Sequence, residues 1–539
     1  MSALAAKLLT RLLRFCFIAA LLLSGTTYAL SPNVIAKLAL GDSDERIEAI
    51  NAIVAAGDAS AIPVLQALQE GRLQTAGERA LIVEGETAID AASGQAISPL
   101  PENREDVLVN NRLRRALGAA IAALRLSSPD RDIRLAAANA LQGEADESLL
   151  PAISKAFARE SDPEIKNQLA LIGAATQLQS DDPATRLAAV KALAQGNSPN
   201  TKTLLLGLLE KKDDAYVERD PAIRGEAQRS LNAVESRIAN GERIAQIFSG
   251  ISLGSILLLA ALGLAITYGL MGVINMAHGE MIMIGAYATY LVQNAFRDYA
   301  VSYFDWYLLC AVPVAFSAAA LVGMLVERSV IRFLYGRPLE TLLATWGISL
   351  ILIQTVRTIF GAQNVGVENP SWMSGGIEVV NAVLPYNRVV IIGFAFAVLA
   401  LAWLLLNRTR LGLFVRGVTQ NRAMASCVGV PTARVDTLAF GLGSGIAGLA
   451  GCALSQIGNV GPDLGQSYIV DSFMVVVLGG VGQLAGTVYA ALGLGVVNKY
   501  LEAWQGAVLA KIAVLVFIII FIQKRPQGLF ALKGRMVEA

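Results

Sequence analysis

ITYGLMGVINMAHGEMIMIGAY, residues 266–287, decides how the whole chain is read. It is apolar text punctuated by glycine, and within it stand Asn275, His278 and Glu280, His278 being the only histidine of the chain. Polar and ionisable groups inside a membrane segment are costly, so they face a cavity, a solute path or a partner. Gly272 precedes them and Gly279 lies among them, which predicts a broken helix whose backbone groups can meet a solute. Side chains that merely tie helices together would give the same text, and the residues alone leave both roles open.

Outward from this stretch, apolar runs continue to the end of the chain. Residues 246–522 carry 13 Lys/Arg and 11 Asp/Glu, whereas 31–245 carry 24 and 31. The net charge of +1 therefore hides two solvents, water for the first part and lipid for the second. Candidate spans fall near 247–273, 276–296, 306–327, 341–360, 389–406, 436–457, 468–482, 485–500 and 505–522, so about eight or nine are expected. The last stretches before 505 are short and glycine-broken, which admits two half-helices. Small-residue runs at 441–451 (GLGSGIAGLAG) and 475–486 (VVVLGGVGQLAG) predict close helix packing. No strongly basic patch suggests nucleic acid.

The first part reads differently. Lys7, Arg11 and Arg14, then an apolar core from Phe15 to Leu23 and Thr27-Tyr28-Ala29, form a signal peptide over 1–29. Residues 31–245 predict an exported, HEAT-like helical-repeat domain, because acidic-proline openers recur before helices at Asp130, Asp162, Asp182 and Asp220. Three of them lead into similar text: DIRLAAANAL, ATRLAAVKAL and AIRGEAQRSL. Residues 80–91 (ALIVEGETAIDA) break the pattern and predict a strand–turn–strand insertion. The exported region has no cysteine, since the four are Cys16, Cys310, Cys427 and Cys452. No catalytic constellation, zinc spacing or cofactor motif occurs, and the domain reads as a docking surface. The fold class expected is all-α: this repeat domain, a membrane domain over 246–523 and a tail over 524–539.

Orientation follows from arginine and lysine in short loops. Twelve lie in loops after odd-numbered spans (Arg328, Arg332, Arg337, Arg408, Arg410, Arg416, Arg422, Arg434, Lys524, Arg525, Lys533 and Arg535). Three lie opposite: Arg297, Arg388 and Lys499. The expectation is an inner-membrane, multi-pass chain with its N-terminal domain in the periplasm and its C-terminus in the cytoplasm.

The most basic loop, NRTRLGLFVRGVTQNRAMASCVGVPTARVD (407–436), predicts one amphipathic helix from Leu411 to Val430. It would present Arg416, Gln420, Asn421 and Arg422 to a soluble partner, with Ala425 and Gly429 as the small residues beside them. No G-x-x-x-x-G-K-[ST] phosphate loop occurs, so the sequence predicts no ATP hydrolysis by this chain itself.

Those two runs, together with DSFMVVVLGGVGQLAGTVYAALGLG (471–495) and KRPQGLF (524–530), resemble the permeases of the branched-chain amino acid ATP-binding-cassette importers. Residues 412–436 and 454–480 look especially like the urea-transporting branch of that family. The resemblance covers about 246–532 and implies a heteromeric complex. Its other members would be a second related permease, two ATPase subunits and an extracytoplasmic solute-binding protein, with 416–430 meeting an ATPase. The expected activity is transport without catalysis: import of a small nitrogenous solute, urea first, by alternating access. Asn275, Gln456 and Asn459 would line the path, His278 and Glu280 would form a pair or gate, and Asp471 and Lys511 would neutralise one another. Branched-chain amino acids or short amides are alternative solutes. A passive urea channel and a membrane-anchored helical-repeat scaffold are alternatives of another class.

Overall fold

The computed structural model describes residues 32–530, except 78, 86, 98, 102, 213, 214, 273, 274, 380 and 381. The expected signal peptide and the tail beyond 530 lie outside the described residues. The chain divides into two compact units, one up to Ile238 and one from Ala239.

The first unit is a succession of short helices: α1 (Pro32–Leu40), α2 (Ser43–Ala56), α3 (Ile62–Gln69), α4 (Asn111–Arg125), α5 (Arg131–Leu141), α6 (Leu150–Arg159), α7 (Pro163–Gln177), α8 (Pro183–Leu193) and α9 (Pro199–Leu209). Each acidic opener caps a helix. Asp130 accepts from the Asp132 amide at 2.9 Å, Asp162 from Glu164 at 2.9 Å, Asp182 from Thr185 at 3.0 Å and Asp220 from Ala222 at 2.8 Å. An arginine four residues past the cap closes the preceding loop. Arg134 donates to the carbonyls of Ser128 and Pro129, Arg186 to those of Ser180 and Asp181, and Arg224 to those of Glu218 and Arg219. Arg134 also grips Glu160 at 2.8 and 3.2 Å, and Arg186 grips Glu218 at 2.9 and 3.2 Å. Equivalent positions therefore make equivalent bonds, which ties the recurrent text to recurrent geometry.

The all-α class needs correction. Between α3 and α4 lies a five-stranded antiparallel sheet in the order β4-β3-β2-β1-β5. Its strands are β1 (Leu73–Ala76), β2 (Arg79–Glu84), β3 (Thr87–Asp90), β4 (Ala96–Ile97) and β5 (Glu105–Asp106). β2 and β3 are the expected strand–turn–strand, in register Leu81↔Asp90 to Glu84↔Thr87. Gly77 and Gly85, both at φ +64, supply the left-handed residues that the tight turns need. Leu73, Ala80, Ile82 and Val107 join the helical core of α1–α7, so the insertion is packed as part of it. A second core runs from Ala174 to Val234.

The long helix α10 (Pro221–Met271) starts in the first unit and ends in the second. The second unit continues with α11 (His278–Tyr299), α12 (Tyr307–Ser329), α13 (Pro338–Phe360), α14 (Tyr386–Arg408), α15 (Arg410–Gln420), α16 (Arg422–Cys427), α17 (Thr432–Ser455), α18 (Leu464–Gly479), α19 (Leu484–Gln505) and α20 (Ala507–Lys524). A hairpin (Gly376–Val379 with Ala382–Pro385) precedes α14. Because α14 runs from this hairpin to α15, the hairpin and α15–α16 mark opposite ends of α14.

Six helices among the described residues are long and apolar enough to cross a membrane: α10, α12, α13, α14, α17 and α20. That is fewer than the eight or nine expected. α18 has 16 residues, about 24 Å of rise and short of the bilayer core. α11 and α19 have 22 residues each, but α11 carries His278, Glu280, Arg297 and Asp298, and α19 carries Lys499 and Glu502.

α17 lies at the centre of the second unit, packed on α11 and α12, with its apolar stretch 83% buried against 17% for α20. Glycine makes this approach possible. A Cβ on Gly285 of α11 would overlap the Gly448 backbone, and one on Gly448 would sit 2.6 Å from the Ala315 carbonyl and the Ala319 methyl of α12. Three helices thus meet backbone to backbone.

Candidate functional site

α10 stops at Met271, and Gly272 turns the chain at φ +66. The chain re-enters as a helix at His278. Asn275 shapes the turn into α11: its Oδ1 accepts from the Ala277 amide at 3.0 Å, while its carbonyl accepts from the His278 amide at 3.3 Å. The break is buried. Asn275 is 2% exposed, His278 0% and Glu280 1%.

Each of these side chains keeps one polar atom without a protein partner. His278 Nε2 lies 2.9 Å from the Ala260 carbonyl. A carbonyl only accepts, so Nε2 carries the proton, and in the neutral ring Nδ1 is an acceptor. Nδ1 has no partner. Glu280 Oε1 accepts from the Ser349 hydroxyl, and its Oε2 has no partner. Asn275 Nδ2 is also unpartnered. Buried polar atoms normally find partners, so three orphans within six residues need explanation. His278 and Glu280 do not pair with each other. Two residues apart on a helix, they point roughly 200° apart.

The sequence reading passed over the far wall. Thr341, Thr345 and Ser349 of α13 are buried at four-residue spacing, which puts them on one helix face. Thr345 accepts from the Met276 amide at 3.2 Å, and Ser349 meets Glu280. The signal is the hydroxyl in every fourth place of TLLATWGIS, residues 341–349. Further along α11, Tyr287 Oη and Gln293 Nε2 are also buried and unpartnered. Tyr287 falls on the Glu280 face, seven residues on.

Gln456 and Asn459 lie elsewhere, at the hairpin end. Gln456 accepts from the Tyr307 hydroxyl at 3.1 Å, and its carbonyl accepts from Asn387 Nδ2 at 3.1 Å. Asn459 is exposed. Tyr307 also donates to the Glu368 carbonyl at 2.7 Å, and the Glu368 amide donates to Gln293 at 2.8 Å. From His278 to Gln293 is about 22 Å along α11, so polar groups run from the break to the hairpin end. Lys511 Nζ is 3.4 Å from Asp471 Oδ2.

The expected single helix over 411–430 is two. Asn421 leaves helical geometry at φ −153, ψ 100, and its side chain caps α16 through the Met424 amide at 3.0 Å. Gly429, at φ +86, closes α16, with its amide on Ser426 and that of Val430 on Ala425. Arg416 bonds Asn407 at 3.1 Å, and Gln420 is exposed. Ala425 is buried with Val418, Val435 and Ala439. Arg422 turns inward to Asp436, whose side chain is fully buried. The outward residues of this pair of helices include Leu413, Met424 and Val428, 61%, 60% and 75% exposed.

Residues 246–523, the whole helical bundle just described, match the family of the branched-chain amino acid transport system permease component. The chain belongs to that family. Permease relatives cover the same half. The high-affinity branched-chain amino acid transport system permease protein LivH of Salmonella typhimurium is 29% identical over 290 residues, 53% of this chain and 94% of its own. LivH of Escherichia coli K12 gives the same figures. BraD of Pseudomonas aeruginosa is 26% identical over 289 residues, with 53% and 94% covered. Further away, the fructose import permease protein FrcC of Rhizobium meliloti is 28% identical over 200 residues, 35% of this chain and 53% of its own. No solved structure matches. The chain is thus a membrane permease component, and its first unit lies outside the family match.

Proposed function

We propose that this permease is the membrane subunit of an ATP-binding-cassette importer in a bacterial inner membrane, and that its solute is urea. One observation carries the reading of the site: Asn275 Nδ2, His278 Nδ1 and Glu280 Oε2 are buried at a helix break with no protein partner. Nδ2 donates while Nδ1 and Oε2 accept, and because His278 and Glu280 face opposite sides of α11 they serve as successive contacts for an uncharged solute with N–H donors and a carbonyl acceptor. Thr345 and Ser349 supply the opposite wall, and Gln456 and Asn459 the approach from the hairpin end. Asp471 and Lys511 neutralise one another beside the bundle. ATP binding and release on two ATPase subunits tilts the bundle, with α15–α16 as the helices that receive the motion. Their exposed Leu413, Met424 and Val428, with exposed Arg416 and Gln420 on the same pair of helices, supply the mix of apolar and polar groups that a protein cleft accepts. A sibling permease and a solute-binding protein complete the complex. The N-terminal helices are an exported HEAT-like repeat domain behind a leader, and α11, α18 and α19 bring the membrane-embedded helices to nine, with α18 as a half-helix.

A second reading has an observation of its own. No ion pair reaches Glu280 among the described residues, so its free Oε2 could meet the ammonium of an amino acid, the solute in the relatives' names. Uptake of radiolabelled urea by the assembled complex, with unlabelled urea, leucine and acetamide as competitors, separates the two. Urea import is expected to require ATP and to fall at least tenfold in Asn275→Leu and His278→Leu. Import that survives ATP depletion marks a passive channel, and competition by leucine alone assigns the amino acid. Unimpaired uptake in both variants removes the helix break from the path.

A further inference from the structure

Arg422, Asp436, Tyr335 and Glu327 form a frame around Met271, the last residue of α10, with Asp436 and Glu327 buried and the Arg422 side chain 43% exposed. The Asp436 side chain is fully buried and takes the Arg422 guanidinium on Oδ2, while its Oδ1 has no partner. The same guanidinium lies over the Tyr335 ring, 4.5 Å from its centroid, in cation–π contact. The Tyr335 hydroxyl donates to Glu327 Oε1 at 2.9 Å and stands 3.1 Å from Met271 Sδ. Glu327, 1% exposed, takes a second bond from Thr437 at 2.6 Å. Two stretches that are remote in sequence thus share one charged network: the end of α12 with the loop after it, and the starts of α16 and α17.

Met271 is the apolar pivot of this frame. It packs against the cluster of Val418, Ala425, Val435 and Ala439 contributed by α15–α17. It also packs against the cluster of Val326, Ile331 and Phe440. One residue later, Gly272 starts the turn that leads to Asn275 and His278. A shift of α16 therefore reaches the end of α10 through contacts that converge on Met271. A charged pair on a buried carboxylate holds direction better than apolar contact alone, because displacing the guanidinium strands the carboxylate.

We propose that this frame is the joint through which nucleotide-driven movement of α15–α16 is passed to Met271 at the end of α10 and on to the buried start of α11 at Asn275 and His278. Arg422, Tyr335, Asp436 and Met271 are its positioning residues, and Arg422 points into the permease, not at the ATPase. The inference rests on the importer reading above.

The test uses the complete complex in vesicles, with radiolabelled urea and leucine as probes, and reads uptake, ATP hydrolysis and amide exchange in the peptide 268–280. In the parent complex, ATP is expected to change exchange in that peptide. In Arg422→Gln and in Met271→Ala, which removes no charge, uptake falls about tenfold while hydrolysis falls less than threefold. Exchange in 268–280 then no longer responds to ATP. Arg422→Lys, which keeps the charge on Asp436, restores at least half of the uptake. Uptake and hydrolysis falling in parallel with the ATP response of 268–280 intact, or uptake unchanged in both variants, overturns the joint. A parent complex that imports neither probe in response to ATP overturns the importer reading instead, so the two failures are distinguishable.

Discussion

At the residue scale, two carboxylates in the first unit carry a pH dependence. The Arg134 guanidinium holds Glu160 below its ordinary value of 4.5, with amides of Ser161 and Asp162 assisting. Burial pushes Glu218 up, yet its bonds from Arg186 and the Asp220 amide outweigh this and leave it below 4.5 as well. A carboxylate depressed on folding stabilises the fold fully above its unfolded value, and that contribution is lost as pH falls through the folded one. Helices α6 and α7 are therefore expected to lose amide-exchange protection as pH drops below about 4.5, and Glu160→Gln should flatten that slope at a lower starting stability. A slope unchanged in Glu160→Gln would remove the pair as its cause. The arginines in these openers were visible in sequence, but their partners 26 and 32 residues away were not. Asn275, His278 and Glu280 were legible because each is a lone polar group in apolar text. The hydroxyls of α13 were not, because serine and threonine in an apolar helix commonly satisfy themselves on their own backbone, as Thr341 does on the Arg337 carbonyl.

At the element scale, the contact of α11, α12 and α17 is a backbone-to-backbone seam, and its tolerance is correspondingly low. Gly448→Val should overpack it by roughly 1–3 kcal/mol or more, because both neighbours it would strike are backbone or Cβ atoms of a rigid helix. A lower thermal midpoint in detergent, read by fluorescence-detected gel filtration, is the expected result. Gly347→Ala on α13, where an added Cβ meets nothing within 4 Å, should leave it in place. If both variants melt together, close approach at Gly448 is not what holds the seam. Asn421 offers a second check, since losing its cap costs about 1 kcal/mol. Asn421→Ala should raise amide exchange in α16 but leave α15 as it was. The small-residue runs announced the seam, whereas the break at Asn421 was hidden because helical periodicity continues through it. The sheet was half legible for a related reason. β2 and β3 alternate clearly, but β4 and β5 are two residues each and owe their existence to neighbouring strands.

At the scale of the whole molecule, orientation decides which end of the bundle faces the ATP supply. The charge bias of 12 basic residues against three gives an answer that packing cannot, because lipid-facing contacts are indifferent to inversion. Two sites at opposite ends of α14 read it directly. Cys427 at the end of α16 is exposed, as is Glu378 in the hairpin. With the other cysteines replaced, a membrane-impermeant maleimide applied to spheroplasts should label Glu378→Cys in a Cys427-free background. Cys427 alone should stay unlabelled until the membrane is permeabilised. This outcome puts α15–α16 and the Arg422 frame on the side where nucleotide is available, and the hairpin on the side from which a receptor would deliver solute. Cys427 reacting first, with Glu378→Cys protected, would put the helices proposed to receive ATPase motion out of any ATPase's reach. It would withdraw the importer mechanism while leaving the family and the fold untouched.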